Sequence, residues 1–139
     1  MYGCPGDHAR VTDSTPAISV LLPVYNAGAF LDDAILSIRK QSFDDFELLI
    51  IDDGSTDGSA RVIERHAKQD GRIRFTKREN RGLVRTLNEM LERVDSPFIA
   101  RMDADDIALP DRFDQQLTRF SDAPELVCLG GRVELIGQD

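Results

Sequence analysis

Asp103 and Asp105 flank one small residue at the end of the apolar run Phe98 to Met102. In an extended segment, residues two apart point to the same side. Two carboxylates held together repel, and one must take up a proton unless a cation lies between them. Mg²⁺ or Mn²⁺ suits such a pair, because these ions prefer oxygen ligands and commonly combine one or two carboxylates with substrate phosphate oxygens. Asp106 stands outside the pair and near Pro110, where capping a turn or the next helix accounts for it equally well. A bare D-x-D is common by chance. Its place at a strand end is what makes this one informative.

A second polar cluster, Asp52-Asp53-Gly54-Ser55, stops the apolar run Phe46 to Ile51. Gly54 permits a sharp turn and close approach of a ligand. One of the two aspartates suits a turn or helix cap. The other can accept a hydrogen bond from a base N–H or a ribose hydroxyl, and Asp53 is favoured for that role. A third cluster, Pro23-Val24-Tyr25-Asn26, follows the run Ile18 to Leu22. A Tyr ring there can stack on a nucleobase, although a Tyr at a strand end more often packs in a core. Asn26 can hold the loop or meet the ligand. Asn80-Arg81-Gly82 is suited equally to approaching phosphate at a helix N-terminus and to being an ordinary loop. Asn88, set between apolar helical positions, reads as a buried amide that ties loops together. His8 and His66 make no catalytic pairing with Ser or Cys, and His66 reads as a surface or packing residue.

The elements that position these clusters follow from the apolar pattern. Ile18–Leu22 reads as a strand ending at Pro23, and Phe30, Leu31, Ala34, Ile35 and Ile38 share a helical face. Phe46–Ile51 is a second strand, and Asp57 can cap a helix carrying Ala60, Ile63 and Ala67 inward. Ile73–Phe75 is a short third strand. Leu83, Val84, Leu87, Met90, Leu91 and Val94 make the clearest helical stripe. Phe98–Met102 is a fourth strand, and Pro110 opens a helix carrying Phe113, Leu117 and Phe120. Leu126–Leu129 and Val133–Ile136 read as two further short strands. This alternation predicts an α/β fold with a mostly parallel twisted sheet and helices on both faces. The three polar clusters then emerge at one carboxyl edge, where open α/β sheets bind ligands.

The 139 residues suit one domain, with a Gly-, Pro- and Thr-containing tail over 1–16 and the globular part over 17–139. A net charge of −8 argues against nucleic acid as a partner. Cys4 and Cys128 give neither a disulfide framework nor a zinc spacing. No stretch is apolar enough to span a bilayer or to act as a signal peptide, so the expected location is cytoplasmic.

Taken in order, these blocks resemble family 2 glycosyltransferases. The similarity is carried by Ile18 to Asn26, by Gln41-Ser42-Phe43 and by Phe46 to Asp57. It continues through Asn80-Arg81-Gly82-Leu83 with Leu87-Asn88, then Arg101 to Asp106, Pro110 to Phe113 and Gln116. The resemblance implies a Rossmann-like GT-A fold. It implies a nucleotide-diphosphate sugar donor, commonly UDP-linked, a saccharide or lipid-linked acceptor, and inversion aided by Mn²⁺ or Mg²⁺. It places Pro23, Tyr25 and Asp53 at the base, with Asn26 beside them. Asp103 would lie near ribose and metal, and Asp105 would be the main metal ligand. The general base would lie in an acceptor-side half beyond the D-x-D, and none of Asp122, Glu125, Glu134 or Asp139 matches its pattern. Details around Arg101 and Arg112 resemble bacterial enzymes that build surface polysaccharides. The competing readings are a non-catalytic nucleotide- or metal-binding module, a Mg-dependent phosphohydrolase and a phosphate-accepting receiver domain. The last two place their acidic motifs on other strands.

Overall fold

The computed structural model describes residues 15–136. The expected tail therefore lies almost wholly outside the described residues, as do Cys4 and His8. Four parallel strands form one sheet: β1 (Ile18–Val24), β2 (Phe46–Asp52), β3 (Ile73–Lys77) and β4 (Phe98–Arg101), in the order β3-β2-β1-β4. Between and after them come α1 (Leu31–Arg39), α2 (Ser59–Gln69), α3 (Leu83–Leu91) and α4 (Arg112–Asp122).

All seven residues of β1 and all seven of β2 are buried. That is why both runs lack polar alternation: a central strand covered on both faces must be apolar on both. Val20, Leu22, Val24, Leu48 and Ile50 pack with Ile35 and Ile38 of α1, Ile63 of α2 and Phe113 of α4. Leu21, Leu49 and Ile51 point the other way and meet Met90, Leu87 and Val94 from α3 and the turn after it. Each such side chain contributes about 2 kcal/mol by leaving water. Glu47 is the polar exception inside β2, apart from Asp52 at its end. Its Oε1 lies 2.6 Å from Ser19 Oγ and its Oε2 accepts from Arg74 at 2.9 Å.

Pro23 lies inside β1, not at its end. β1 pairs with β2 over its whole length, but with β4 only from Ile18–Phe98 to Leu21–Arg101. Val24 C=O accepts from Asp53 N–H on the β2 side, and Leu21 C=O accepts from Met102 N–H on the β4 side. Alternation along the strand therefore points the Pro23 nitrogen toward β4, one rung past the last bond. A residue without an N–H is tolerated there.

Two polar seams tie α1 to α2 and β3. Asp57 takes Ser59 N–H at 3.0 Å, as its place before α2 predicts, and also Gly28 N–H at 2.8 Å. His66 is buried, its Nε2 2.6 Å from Asp32 Oδ1 and its Nδ1 2.7 Å from an Arg39 guanidinium nitrogen. A guanidinium can only donate, so Nδ1 accepts and Nε2 donates. Asp70 closes the seam. The hydrogen bond from the Arg72 guanidinium, helped by Arg72 N–H and Arg39, holds its carboxyl down at about 2. A depressed carboxylate stabilises the fold above its unfolded pKa and loses that contribution as pH falls through the folded value. Asp70→Asn is accordingly expected to cost about 2 kcal/mol at neutral pH. It should also remove the share of acid destabilisation that Asp70 is expected to give the wild type between about pH 4 and 2. Urea unfolding at successive pH values checks this; an unchanged acid limb would assign that limb to other carboxylates.

Two expectations are corrected. Asn88 is exposed, not buried: α3 turns Thr86 and Met90 to the sheet, and position 88 falls on the opposite side. Residues 126–136 form no strand. Val127 is 96 % exposed and Leu135 93 % exposed. A strand needs a backbone partner and a surface to bury its apolar face, and this segment has neither among the described residues.

Candidate functional site

β1, β2 and β4 all end at the same edge because they run parallel. β1 lies between strands reached in opposite directions, so the switch in strand order falls between β1 and β4. At this edge Pro23, Val24, Tyr25, Asp53, Asn80, Gly82, Leu83 and Thr86 line a cavity of about 150 Å³. Three of the residues singled out by sequence, Pro23, Tyr25 and Asp53, are thus brought together. Tyr25 is 57 % exposed, so it lines this cavity rather than a core.

The two aspartates after β2 divide their labour. Asp52 is fully buried; its Oδ1 accepts from Ser55 N–H at 2.8 Å. Asp52 Oδ2 is buried and has no hydrogen-bond partner among the described residues. Asp53 crosses instead to the start of α3. Its Oδ1 accepts from Arg81 N–H at 2.9 Å and its Oδ2 from Gly82 N–H at 2.8 Å. The two amides of the Asn80-Arg81-Gly82 turn that suited a phosphate are therefore given to Asp53, which caps the positive end of α3. The Arg78 guanidinium also donates to Asp53 Oδ1. Burial works to raise the Asp53 carboxyl, but Arg81 N–H, Gly82 N–H and the Arg78 charge together hold it below the usual carboxylate range. Asp53 is thereby fixed as an ionised acceptor.

Arg78 is a residue that sequence reading passed over. Its side chain is 10% exposed, bonds Thr86 Oγ1 at 2.8 Å and Glu79 C=O at 2.9 Å, and lies 3.0 Å from Glu89 Oε2. Glu89 in turn pairs with Arg93 on the next turn of the helix. In the structure, the register that pairs Lys77 with Asp52 brings the next residue, Arg78, beside Asp53. Gly54 has φ +85°, and a Cβ there would meet Asn80 N at 2.9 Å. The close approach that this glycine permits is thus to its own chain. Asn26 also has a positive φ, 49°. Its N–H donates to Ser55 Oγ at 2.9 Å and its Oδ1 accepts Thr56 N–H at 2.8 Å, which locks the β1 loop to the β2 loop.

The acidic segment after β4 is not extended. β4 ends at Arg101, and Asp106 N–H returns to Asp103 C=O at 3.2 Å. The alternation argument for Asp103 and Asp105 therefore gives way to a tight turn that presents Asp105 to solvent and leaves Asp103 half-buried. Asp103 Oδ1 accepts from Arg101 at 2.8 Å. Behind the turn, Arg112 donates to Arg101 C=O at 3.1 Å. Burial draws its guanidinium below the usual value, against the pull of Asp106. No group of three or more His, Cys, Asp or Glu placed to hold a metal occurs among the described residues. The oxygen donors at Asp103 and Asp105 fit a hard cation that takes its remaining ligands from phosphate or water.

The sequence family described as Glycosyl transferase family 2 matches residues 19–137. EpsH of Bacillus subtilis (strain 168), a glycosyltransferase by assignment only, is 38% identical over 113 residues, which cover 81% of this chain and 33% of that protein. The chain thus spans about a third of that relative's length. Among the solved structures that share the fold are two with a bound donor. The mannosyltransferase PcManGT from Pyrobaculum calidifontis, in complex with GDP-Man and Mn²⁺, superposes with TM-score 0.71 at 22% identity, over 80% of this chain and 34% of its own. S. aureus TarS 1-349 in complex with UDP-GlcNAc gives 0.70 at 23% identity, over 76% and 31%. No described helix is long and apolar enough to cross a membrane.

Proposed function

The chain belongs to glycosyl transferase family 2, and from that premise we propose that residues 17–139 are the donor-binding portion of an inverting, metal-assisted transferase. Its donor is a nucleoside-diphosphate sugar, UDP-linked by preference. Its acceptor is a saccharide or lipid-linked hydroxyl used at the cytoplasmic face in surface polysaccharide or glycoconjugate synthesis. The observation that carries this reading is the convergence of Pro23, Tyr25 and Asp53 on one cavity, at the edge where β4 also delivers its acidic turn.

The cavity is smaller than the ~300–1,000 Å³ of a whole ligand pocket, which suits a single base ring with the rest of the donor lying outside. The Tyr25 ring is free to stack on that base. Asp53 can only accept, and Oδ2, with one amide already bound, keeps a lone pair for one more donor. The ring N–H of uracil or of guanine satisfies it. Both bases occur in the donors of the two solved structures. Asn26 keeps the Tyr25 loop in place. Asp103 and Asp105 are the residues that would hold Mn²⁺ or Mg²⁺, with Asp105 the more accessible. Bound there with the donor, the cation would supply charge neutralisation to the departing nucleoside diphosphate. The hydroxyl of the acceptor needs a general base, and no residue of this chain is assigned that role.

Calorimetric titration of UDP with Mn²⁺ and then with EDTA tests the reading. Binding at least tenfold tighter with Mn²⁺ is expected. Silence from UDP, GDP, CDP and dTDP alike would remove the donor site from these residues.

A further inference from the structure

Gln41 opens the Gln41-Ser42-Phe43 block. It stands two residues past the end of α1 and is 4 % exposed. Its Nε2 donates to Leu109 C=O at 2.7 Å and to Ser37 C=O at 3.2 Å, and its Oε1 accepts Phe113 N–H at 3.1 Å. Phe113 N–H is one of the first-turn amides of α4, which have no partner within the helix. Asp111, at the N-cap of α4, makes no side-chain cap. Gln41 therefore caps α4 from another element. Its neighbours act alongside it: Ser37 Oγ accepts Ala108 N–H at 3.1 Å, and Ser42 N–H donates to Pro110 C=O at 2.8 Å. The segment from Ala108 to Phe113 is thus fastened at four points to the end of α1. On the other side, Met102 N–H is bonded to β1 and Arg112 holds Arg101 C=O. Only Asp103 to Ile107 lies between the two anchorages.

We propose that Gln41 is a positioning residue for the acidic turn: its carboxamide fixes the far anchorage and so sets how Asp103 and Asp105 meet the cation and the diphosphate. This rests on the reading of that turn as the cation site. It goes beyond that reading by assigning the site's geometry to a side chain on a different element, which touches neither ligand.

The test is Gln41→Met, which keeps the length and removes all three bonds, with Ser37→Ala as a milder companion that removes one anchor. Two affinities are read for each: UDP with Mn²⁺ by calorimetry, and UDP in EDTA by amide shifts of Tyr25 and Gly82. Gln41→Met is expected to weaken the Mn²⁺-dependent binding about tenfold, and Ser37→Ala about threefold, with the EDTA affinity unchanged in both. Equal loss with and without Mn²⁺ would overturn the proposal, since general loosening of the fold moves both. Unaltered affinities would overturn it too. Should Gln41→Met fail to fold, Ser37→Ala carries the test alone by the same criteria. A wild-type chain indifferent to Mn²⁺ would defeat the cation reading itself and this proposal with it. A Mn²⁺-dependent wild type with unaltered variants would defeat this proposal alone.

Discussion

Asp53→Asn is expected to lower the thermal midpoint by about 10 °C, from a loss of about 3 kcal/mol in a chain of this size, and to abolish detectable UDP binding. The replacement has nearly the same shape, so no cavity opens. What changes is chemistry at two oxygens that already face donors. One becomes an amide NH₂ and must point either at Gly82 N–H or at Arg81 N–H and the Arg78 guanidinium. Either choice sets donor against donor in a buried place, which costs the full desolvation of the group left unpaired. The Arg78 guanidinium is left with Glu89 as its counter-charge, and α3 loses the anion at its positive end. Calorimetric melting with and without UDP separates the two effects. A midpoint within 2 °C of wild type, as an order of magnitude for one lost surface contact, would show that Glu89 alone compensates Arg78.

Asp105→Ala is expected to behave in the opposite way. UDP binding with Mn²⁺ should fall at least tenfold, to the level seen in EDTA, while stability stays within about 0.5 kcal/mol of wild type. Asp105 is exposed and accepts no hydrogen bond among those described, so the folded chain without ligand loses little. The whole effect falls on a cation that the remaining carboxylate, Asp103, must hold while it is also bonded to Arg101. Metal-dependent binding that survives the substitution would move the principal ligand elsewhere on the turn.

These two aspartates also show what could be read before any coordinates. β1 and β2 were legible because burial on both faces leaves a largely apolar run; the end of β2 was legible to within one residue because Asp52-Asp53-Gly54 stops that run, whereas β1 runs on through Pro23 to Val24. The clustering of Pro23, Tyr25 and Asp53 followed from parallel topology alone. The path of Asp103 to Asp106 did not: whether a chain leaving a strand stays extended or turns depends on what receives its backbone, here the return of Asp106 N–H to Asp103. The orientation of α3 was misjudged at Asn88 because Leu83, Val84 and Leu91, exposed at 52, 71 and 46 %, widen the apparent apolar stripe beyond the part that meets the sheet. Arg78 was passed over, and Gln41 was read only as part of a resembling block, for a shared reason. Each works through partners on a distant element, so its own stretch of sequence carries no sign of the role.

The proline inside β1 has a mechanical consequence. Past Leu21 the strand is fastened to β2 only, and Pro23 has no N–H to donate toward β4. It is a missing tooth in a zipper, and the two sides beyond it hang from different supports. Tyr25 follows β2, Asn26 and the Asp53 cap. The acidic turn follows Arg112 and the end of α1. Displacement of one need not drag the other, so a single imino acid leaves two neighbouring halves of one edge free to adjust independently.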